Sequence, residues 1–184
     1  MLDGVINFRQ VHFNIDVEPL LVQLRGNPQL WNLDDSWSHG KQGSAIYDVD
    51  TIVLRYNKSS VPGLNDWSRP AFNTLSAAQS IIFDLMRAIP GEHLGKVLIT
   101  RLRAGEKIDW HIDHMPPGIP QYFQRYQIPL SVADGVRFAV GDEELYMKPG
   151  TAWWFDNQTT HAVFNDSSED RISMLTDIRP FTAA

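Results

Sequence analysis

From Lys96 to Ile178 the chain reads as short strands divided by turn residues, and this pattern limits its fold more than any other feature. The segments are KVLITRL (96–102), KIDWHID (107–113), RYQIPLSVA (125–133), VRFAV (136–140), ELYM (144–147), TAWWF (151–155), THAVFN (160–165) and RISMLTDI (171–178). Between them lie AGE, the proline-rich HMPPGIPQYF, Asp134-Gly135, Gly141-Asp142, Lys148-Pro149-Gly150, Asp156-Asn157 and DSSED. β-Branched and aromatic runs bounded by Gly, Pro, Asn and Asp predict strands. About eight of them at this spacing predict a sandwich or barrel. Asp134-Gly135 predicts a tight hairpin, since glycine accepts the positive φ such a turn needs.

The first 95 residues are mixed. VHFNI (11–15) predicts a short strand, and Asp16 a cap for a helix over Val17–Arg25, with Pro19 in its first turn and Gly26 at its end. Residues 26–48 and 58–70 read as loops around a strand at TIVLRY (51–56). A second helix is predicted with Asn73 or Thr74 as N-cap. Leu75, Ala78, Ile82, Leu85 and Ile89 recur at steps of three and four, which draws one apolar stripe, and Pro90-Gly91 stops it. A length of 184 residues predicts a single domain, 1–184, with 1–95 supporting 96–180.

Charge and cysteine content narrow the function. The net charge is -6 and the 16 basic residues are scattered, which argues against nucleic acid as a partner. There is no cysteine, so a bound metal has to sit on His, Asp or Glu. MLDGVINFRQ lacks the basic and apolar regions of a signal peptide. The longest helical apolar segment, SIIFDLM, is short and carries Asp84, so no membrane span is expected. A cytoplasmic protein is the expectation.

The densest chemistry is DWHIDH, 109–114. In a strand, residues two apart share a face, so Asp109, His111 and Asp113 lie together while His114 points the other way. H-x-D alone also fits a solvated outer face. With His161, however, it makes two imidazoles and one carboxylate, a set that binds Fe(II) on one face of the octahedron and leaves positions open. Two imidazoles and a carboxylate also suit catalytic zinc, and a cupin-like binding protein without catalysis is a further alternative. If DSSED closes a hairpin, Asn165 faces Arg171. Arg171 then shares the face of His161 at an offset of four residues, roughly 13 Å. There it could clamp the far carboxylate of a five-carbon dicarboxylate.

Four ordered blocks carry a family likeness: R-L-x-A-G-x-x-I-x-W-H-x-D (101–113), R-Y-Q-I-P-L (125–130), K-P-G-T-x-W-x-F-D-N-x-x-x-H-x-V-x-N (148–165) and R-I-S-M-L-x-D-I (171–178). Together they resemble the aspartyl/asparaginyl β-hydroxylases. The resemblance implies a mainly β protein, a cupin-like double-stranded β-helix (jelly-roll) with one or two supporting α-helices from the N-terminal half. It implies an Fe(II)- and 2-oxoglutarate-dependent dioxygenase that uses O2, hydroxylates an amino acid, peptidyl residue or small metabolite, and releases succinate and CO2. His111, Asp113 and His161 are then the iron ligands and Arg171 the clamp on the distal carboxylate of 2-oxoglutarate. Arg125, Thr100 and Gln127 match positions that help to hold the same cosubstrate. Gln127 stands where animal members carry histidine, and Asp113 where they carry glycine.

Substrate contacts are expected from the first third and from residues 115–124, because loops on a rigid scaffold carry specificity. Trp31, His39 and Arg103 are the candidates, with Trp37 and Arg55 nearby in sequence. Asp109 could orient an imidazole or simply face solvent. Of Trp153, Trp154 and Phe155, at least one is expected in the core.

Overall fold

The computed structural model describes residues 6–12, 14–34, 49–56, 68–113 and 123–181. Its elements are β1 (Phe8–His12), α1 (Glu18–Gly26), a 3-10 turn (Pro28–Leu30), β2 (Asp50–Arg55), α2 (Pro70–Thr74), α3 (Ser76–Ala88), β3 (Gly91–Leu102), β4 (Lys107–His111), β5 (Gln124–Ser131), β6 (Val136–Val140), β7 (Glu143–Leu145), β8 (Ala152–Phe155), β9 (His161–Asn165) and β10 (Arg171–Pro180). They form a six-stranded sheet, β1-β8-β5-β10-β3-β2, and a four-stranded sheet, β4-β9-β6-β7.

From β3 to β6 each strand lies in the opposite sheet from the one before it, and the same holds from β8 to β10. The chain therefore winds around two facing sheets as a double-stranded β-helix, the expected fold. β1 and β2 extend the outer edges of the larger sheet. Among the described residues no helix is long and apolar enough to cross a membrane.

This winding corrects both expected hairpins. Asp134-Gly135 carries the chain from β5 to β6, and DSSED carries it from β9 to β10; neither pair of strands is hydrogen-bonded. Gly135 does take positive φ, +96°. The turn serves to cross between sheets, and the two corners stack: the Asp166 N–H donates to the Gly135 carbonyl at 3.2 Å. A turn residue announces its backbone angle, not the partner of the strand that follows. The two-residue hairpin of the barrel is Gly141-Asp142, where Val140 faces Glu143 and Gly141 has φ +56°.

Strand limits shift for local reasons. The first strand lies at 8–12 rather than 11–15, and Asn14, at φ +58°, marks where extended geometry has ended. β3 starts at Gly91 rather than Lys96, because β10 runs on to Pro180 and pairs with it. β4 ends at His111, so Asp113 sits beyond the strand.

Alternation along the larger sheet separates two interiors. Val97, Ile99, Tyr126, Ile128, Met174 and Ile178 pack outward against α1 and α3, whose buried residues include Leu20, Leu24, Ala78, Ile82 and Leu85. Each fully buried Leu or Ile in such a core contributes about 1.5–3 kcal/mol. Leu102, Trp153 and Phe155 point the other way and meet Ile108, Phe138, Val140 and Val163 of the smaller sheet. The apolar stripe of the helix is therefore as expected, but its cap is not. Asn73 and Thr74 belong to α2, and Leu75 is the N-cap residue without a side-chain cap of its own. Gln23 of α1 accepts from the Ala77 N–H at 3.0 Å instead, so a neighbouring helix supplies the missing acceptor.

Candidate metal centre

His111 and His161 face each other across the β4–β9 pair, with ring centroids 4.2 Å apart. Asp113 joins them from just past β4. One ligand atom from each of the three residues lies within 4.8 Å of the others. The Nδ1 of His111 lies 2.7 Å from the Asp109 carbonyl, and that of His161 lies 3.0 Å from the Thr159 carbonyl. Nδ1–H donation to those carbonyls leaves both Nε2 atoms as ligands, the usual way a metal-binding imidazole is oriented. Burial holds the His161 imidazole below its ordinary pKa and so favours the neutral ring a metal needs.

Asp113 is fixed by a loop the sequence reading treated as an ordinary turn. Its N–H donates to the Asn157 carbonyl at 3.1 Å, and its own carbonyl accepts from Gln158 Nε2 at 2.9 Å. Its Oδ2 accepts from Asn157 Nδ2 at 3.2 Å and from Arg125 NH1. Arg125 in turn forks onto Asp177, with Nε to Oδ1 at 2.8 Å and NH2 to Oδ2 at 2.9 Å. Lys96 lies 3.5 Å from the same Asp177. Burial works against charge on both carboxylates, but the surrounding groups together outweigh it, Arg125 foremost, with His161, Lys96 and Asn157 at Asp113 and Lys96 at Asp177, and both lie below the usual carboxylate range. Asn157, Asp177 and Lys96 were missed. Asp177 and Lys96 looked like ordinary strand residues, and only the pairing of β3, β10 and β5 brings them together.

Arg171 is 3% exposed, and burial lowers its pKa to about 10. No carboxylate offsets it among the described residues. Its guanidinium sits 6.0 Å from the ring of Phe138, whose other neighbours include His161, stacked at 6.4 Å and 5°. The hairpin argument for Arg171 was wrong, yet the arginine reaches the barrel interior because residue 171 alternates with the helix-facing Ile172 and Met174. Ser173 follows on the same face, with a buried hydroxyl that has no hydrogen-bond partner. Thr100 lies opposite Ser173 and donates to its carbonyl at 3.4 Å; Gln127 is 3% exposed on the neighbouring strand. An unpaired guanidinium and an orphaned hydroxyl in one interior suit an anionic ligand such as a carboxylate. Arg125, by contrast, has Nε, NH1 and NH2 all engaged by Asp177 and Asp113.

Of the substrate candidates, the described residues Trp31 and Arg103 are engaged away from the triad. Trp31 stacks under Arg101, 4.6 Å from its ring centre, on the face of β3 opposite Thr100. Arg103 pairs with Asp50 at 3.2 Å, beside the Asp50–Arg101 pair. His39, Trp37, His114 and residues 115–122 lie outside the described residues. The Asp109 carboxylate faces solvent and pairs with Lys107 at 2.8 Å; its carbonyl, not its side chain, meets His111. Trp153 and Phe155 are core, and Trp154 lies half-buried beneath Arg9.

A model of the aspartyl/asparaginyl β-hydroxylase family matches residues 66–180, which include every residue of the triad and Arg171. The chain belongs to this family. As an aspartyl/asparaginyl β-hydroxylase family member it is a 2-oxoglutarate- and Fe(II)-dependent dioxygenase. Similar solved structures share its fold at low identity. A viral collagen prolyl hydroxylase from Paramecium bursaria Chlorella virus-1, in complex with 2OG, is 12% identical, covers 98% of this chain and 100% of its own, and has a TM-score of 0.55. A Pseudomonas putida prolyl-4-hydroxylase is 11% identical over 96% of this chain and 94% of its own, with a TM-score of 0.55. AviO1 from Streptomyces viridochromogenes is 14% identical over 97% and 91%, with a TM-score of 0.59. A search of curated sequences finds no match.

Proposed function

We propose that this family member hydroxylates an unactivated C–H of a free amino acid, a peptidyl residue or a related small metabolite with O2, one oxygen atom entering the substrate and the other the succinate formed, with CO2, from 2-oxoglutarate. His111, Asp113 and His161 hold the iron through two Nε2 atoms and one carboxylate oxygen, and Arg171 clamps the distal carboxylate of 2-oxoglutarate. The observation that carries this reading is Arg171 itself, a buried cation with no counterion among the described residues, one aromatic ring away from His161. A zinc hydrolase leaves this group unexplained, and a passive binding protein leaves the intact set of two imidazoles and a carboxylate unexplained.

Iron and 2-oxoglutarate together supply the oxidising chemistry, and the protein positions and shields it. The two backbone carbonyls orient both imidazoles so that Nε2 is the nitrogen each presents, and Asn157 and Arg125 orient Asp113. Phe138, stacked between His161 and Arg171, keeps the floor of the site apolar, so that the Arg171 charge meets the cosubstrate in a water-poor interior. Ser173, Thr100 and Gln127 line that interior and offer hydrogen bonds to the same carboxylate.

The test is a screen of free amino acids and short peptides with Fe(II), ascorbate and 2-oxoglutarate, read by mass. A substrate gains one oxygen, and the gain disappears in His161→Ala. Hydroxylation that persists in folded His161→Ala rules out this ligand set.

A further inference from the structure

We infer that Asp177 is a positioning residue for the metal centre: by taking Nε and NH2 of Arg125 it leaves NH1 as the nitrogen that reaches Asp113. This rests on the reading of His111, Asp113 and His161 as ligands. Asp177 faces Arg125 directly across the β10–β5 ladder, so the fork is set by strand register rather than by a flexible loop. Both oxygens of Asp177 are used, Oδ1 by Arg125 Nε and Oδ2 by Arg125 NH2. Lys96, on the other flanking strand, approaches Oδ2 to 3.5 Å, so three adjacent strands fix this carboxylate. The side chains of Arg125 and Asp177 are 10% and 16% exposed, which keeps water from taking over either role.

The consequence falls on Asp113. Its Oδ2 receives Arg125 NH1 and Asn157 Nδ2, while no protein donor reaches its Oδ1 among the described residues. Oδ2 also lies 3.7 Å from His161 Nε2, so the carboxylate already faces the imidazoles, with one oxygen held by two protein donors and Oδ1 still open to a metal. A guanidinium prefers to grip a carboxylate through two parallel bonds. Without the charge on Asp177, Arg125 is a buried cation whose one remaining carboxylate among the described residues is Asp113, and a buried charge is strongly driven to pair. It then closes on both oxygens of Asp113 and competes with the metal.

Anaerobic titration of the full chain with Co(II), followed by its visible absorption, tests this. Asp177→Asn is expected to weaken Co(II) binding by about ten- to a hundredfold, the range for residues that orient metal ligands. In Asp177→Asn/Arg125→Gln the competing guanidinium is gone, and affinity is expected to return to within several-fold of wild type. A purely structural Asp177 predicts the reverse, with the double variant no better than the single. Wild-type affinity in folded Asp177→Asn overturns the inference. His161→Ala distinguishes the two levels: if it too binds Co(II) like wild type, the ligand reading itself is wrong. Should Asp177→Asn fail to fold, Asp177→Glu keeps the charge but displaces the fork by one methylene. The Co(II) spectrum, which reports ligand geometry, is then expected to change; an unchanged spectrum and affinity overturn the inference.

Discussion

At the scale of single residues, the site depends on charges placed where water cannot screen them. Arg171 pays a desolvation cost in the ligand-free protein that only an anion relieves. Arg171→Leu is therefore expected to raise the KM for 2-oxoglutarate by about ten- to a hundredfold, the size of one or two charge-assisted hydrogen bonds, with kcat changed much less when the cosubstrate saturates. Steady-state 2-oxoglutarate consumption measures both; an unchanged KM removes Arg171 from the cosubstrate site. Lys96 gives a pH signature. Burial, then the nearby Arg125, lowers its pKa to about 8, against about 10.4 in an unfolded chain. Between those values the unfolded chain holds a proton that the folded chain lacks, so the Lys96 contribution to stability rises with pH through this window. It falls again as the pH drops back toward 8. Denaturant titrations from pH 7.5 to 10.5 are expected to show this rise in wild type relative to Lys96→Met; parallel curves contradict it.

At the scale of elements, the helices act as a support whose details come from neighbours rather than from local sequence. Gln23 caps α3 from α1, and Gln23→Ala is expected to lower stability by about 1 kcal/mol in urea unfolding, with iron affinity unchanged. No loss of stability means that the Ala77 N–H finds water as easily. The same dependence on neighbours explains what was legible beforehand. Every barrel segment was readable because its apolar and turn residues are local signals, and so was His111, since H-x-D announces itself. His161, which the fold brings beside it, is fifty residues away, and nothing nearby marks it except the block in which it stands. Strand partners were not legible: Asp134-Gly135 and DSSED looked like hairpins and are crossings between sheets. Arg171 came out on the correct face for a mistaken reason, since strand parity survives an error in pairing. Asn157 and Asp177 were passed over because one resembles any turn residue and the other any strand carboxylate. Their contacts with Asp113 and Arg125 form only once the chain is folded.

At the scale of the whole molecule, the larger sheet packs one apolar face against the helices, and between the two sheets a second apolar cluster lies beside the buried polar residues of the site. Ligands that bind only the folded chain stabilise it in proportion to the logarithm of their concentration. Mn(II) with 2-oxoglutarate, each at a hundred times its dissociation constant, is expected to add about 2.7 kcal/mol per ligand, or roughly 5–10 °C in Tm for each. Arg171→Leu is expected to keep the Mn(II) increment and lose the other. The measurement that bears most directly on the central claim is succinate formation from 2-oxoglutarate by the Fe(II)-loaded protein in air. The account predicts succinate from the wild-type chain, even slowly without a hydroxylatable substrate, and none from folded His161→Ala. Folded wild-type protein that binds Fe(II) but forms no succinate with any amino acid or peptide, or His161→Ala that forms it at the wild-type rate, would contradict it.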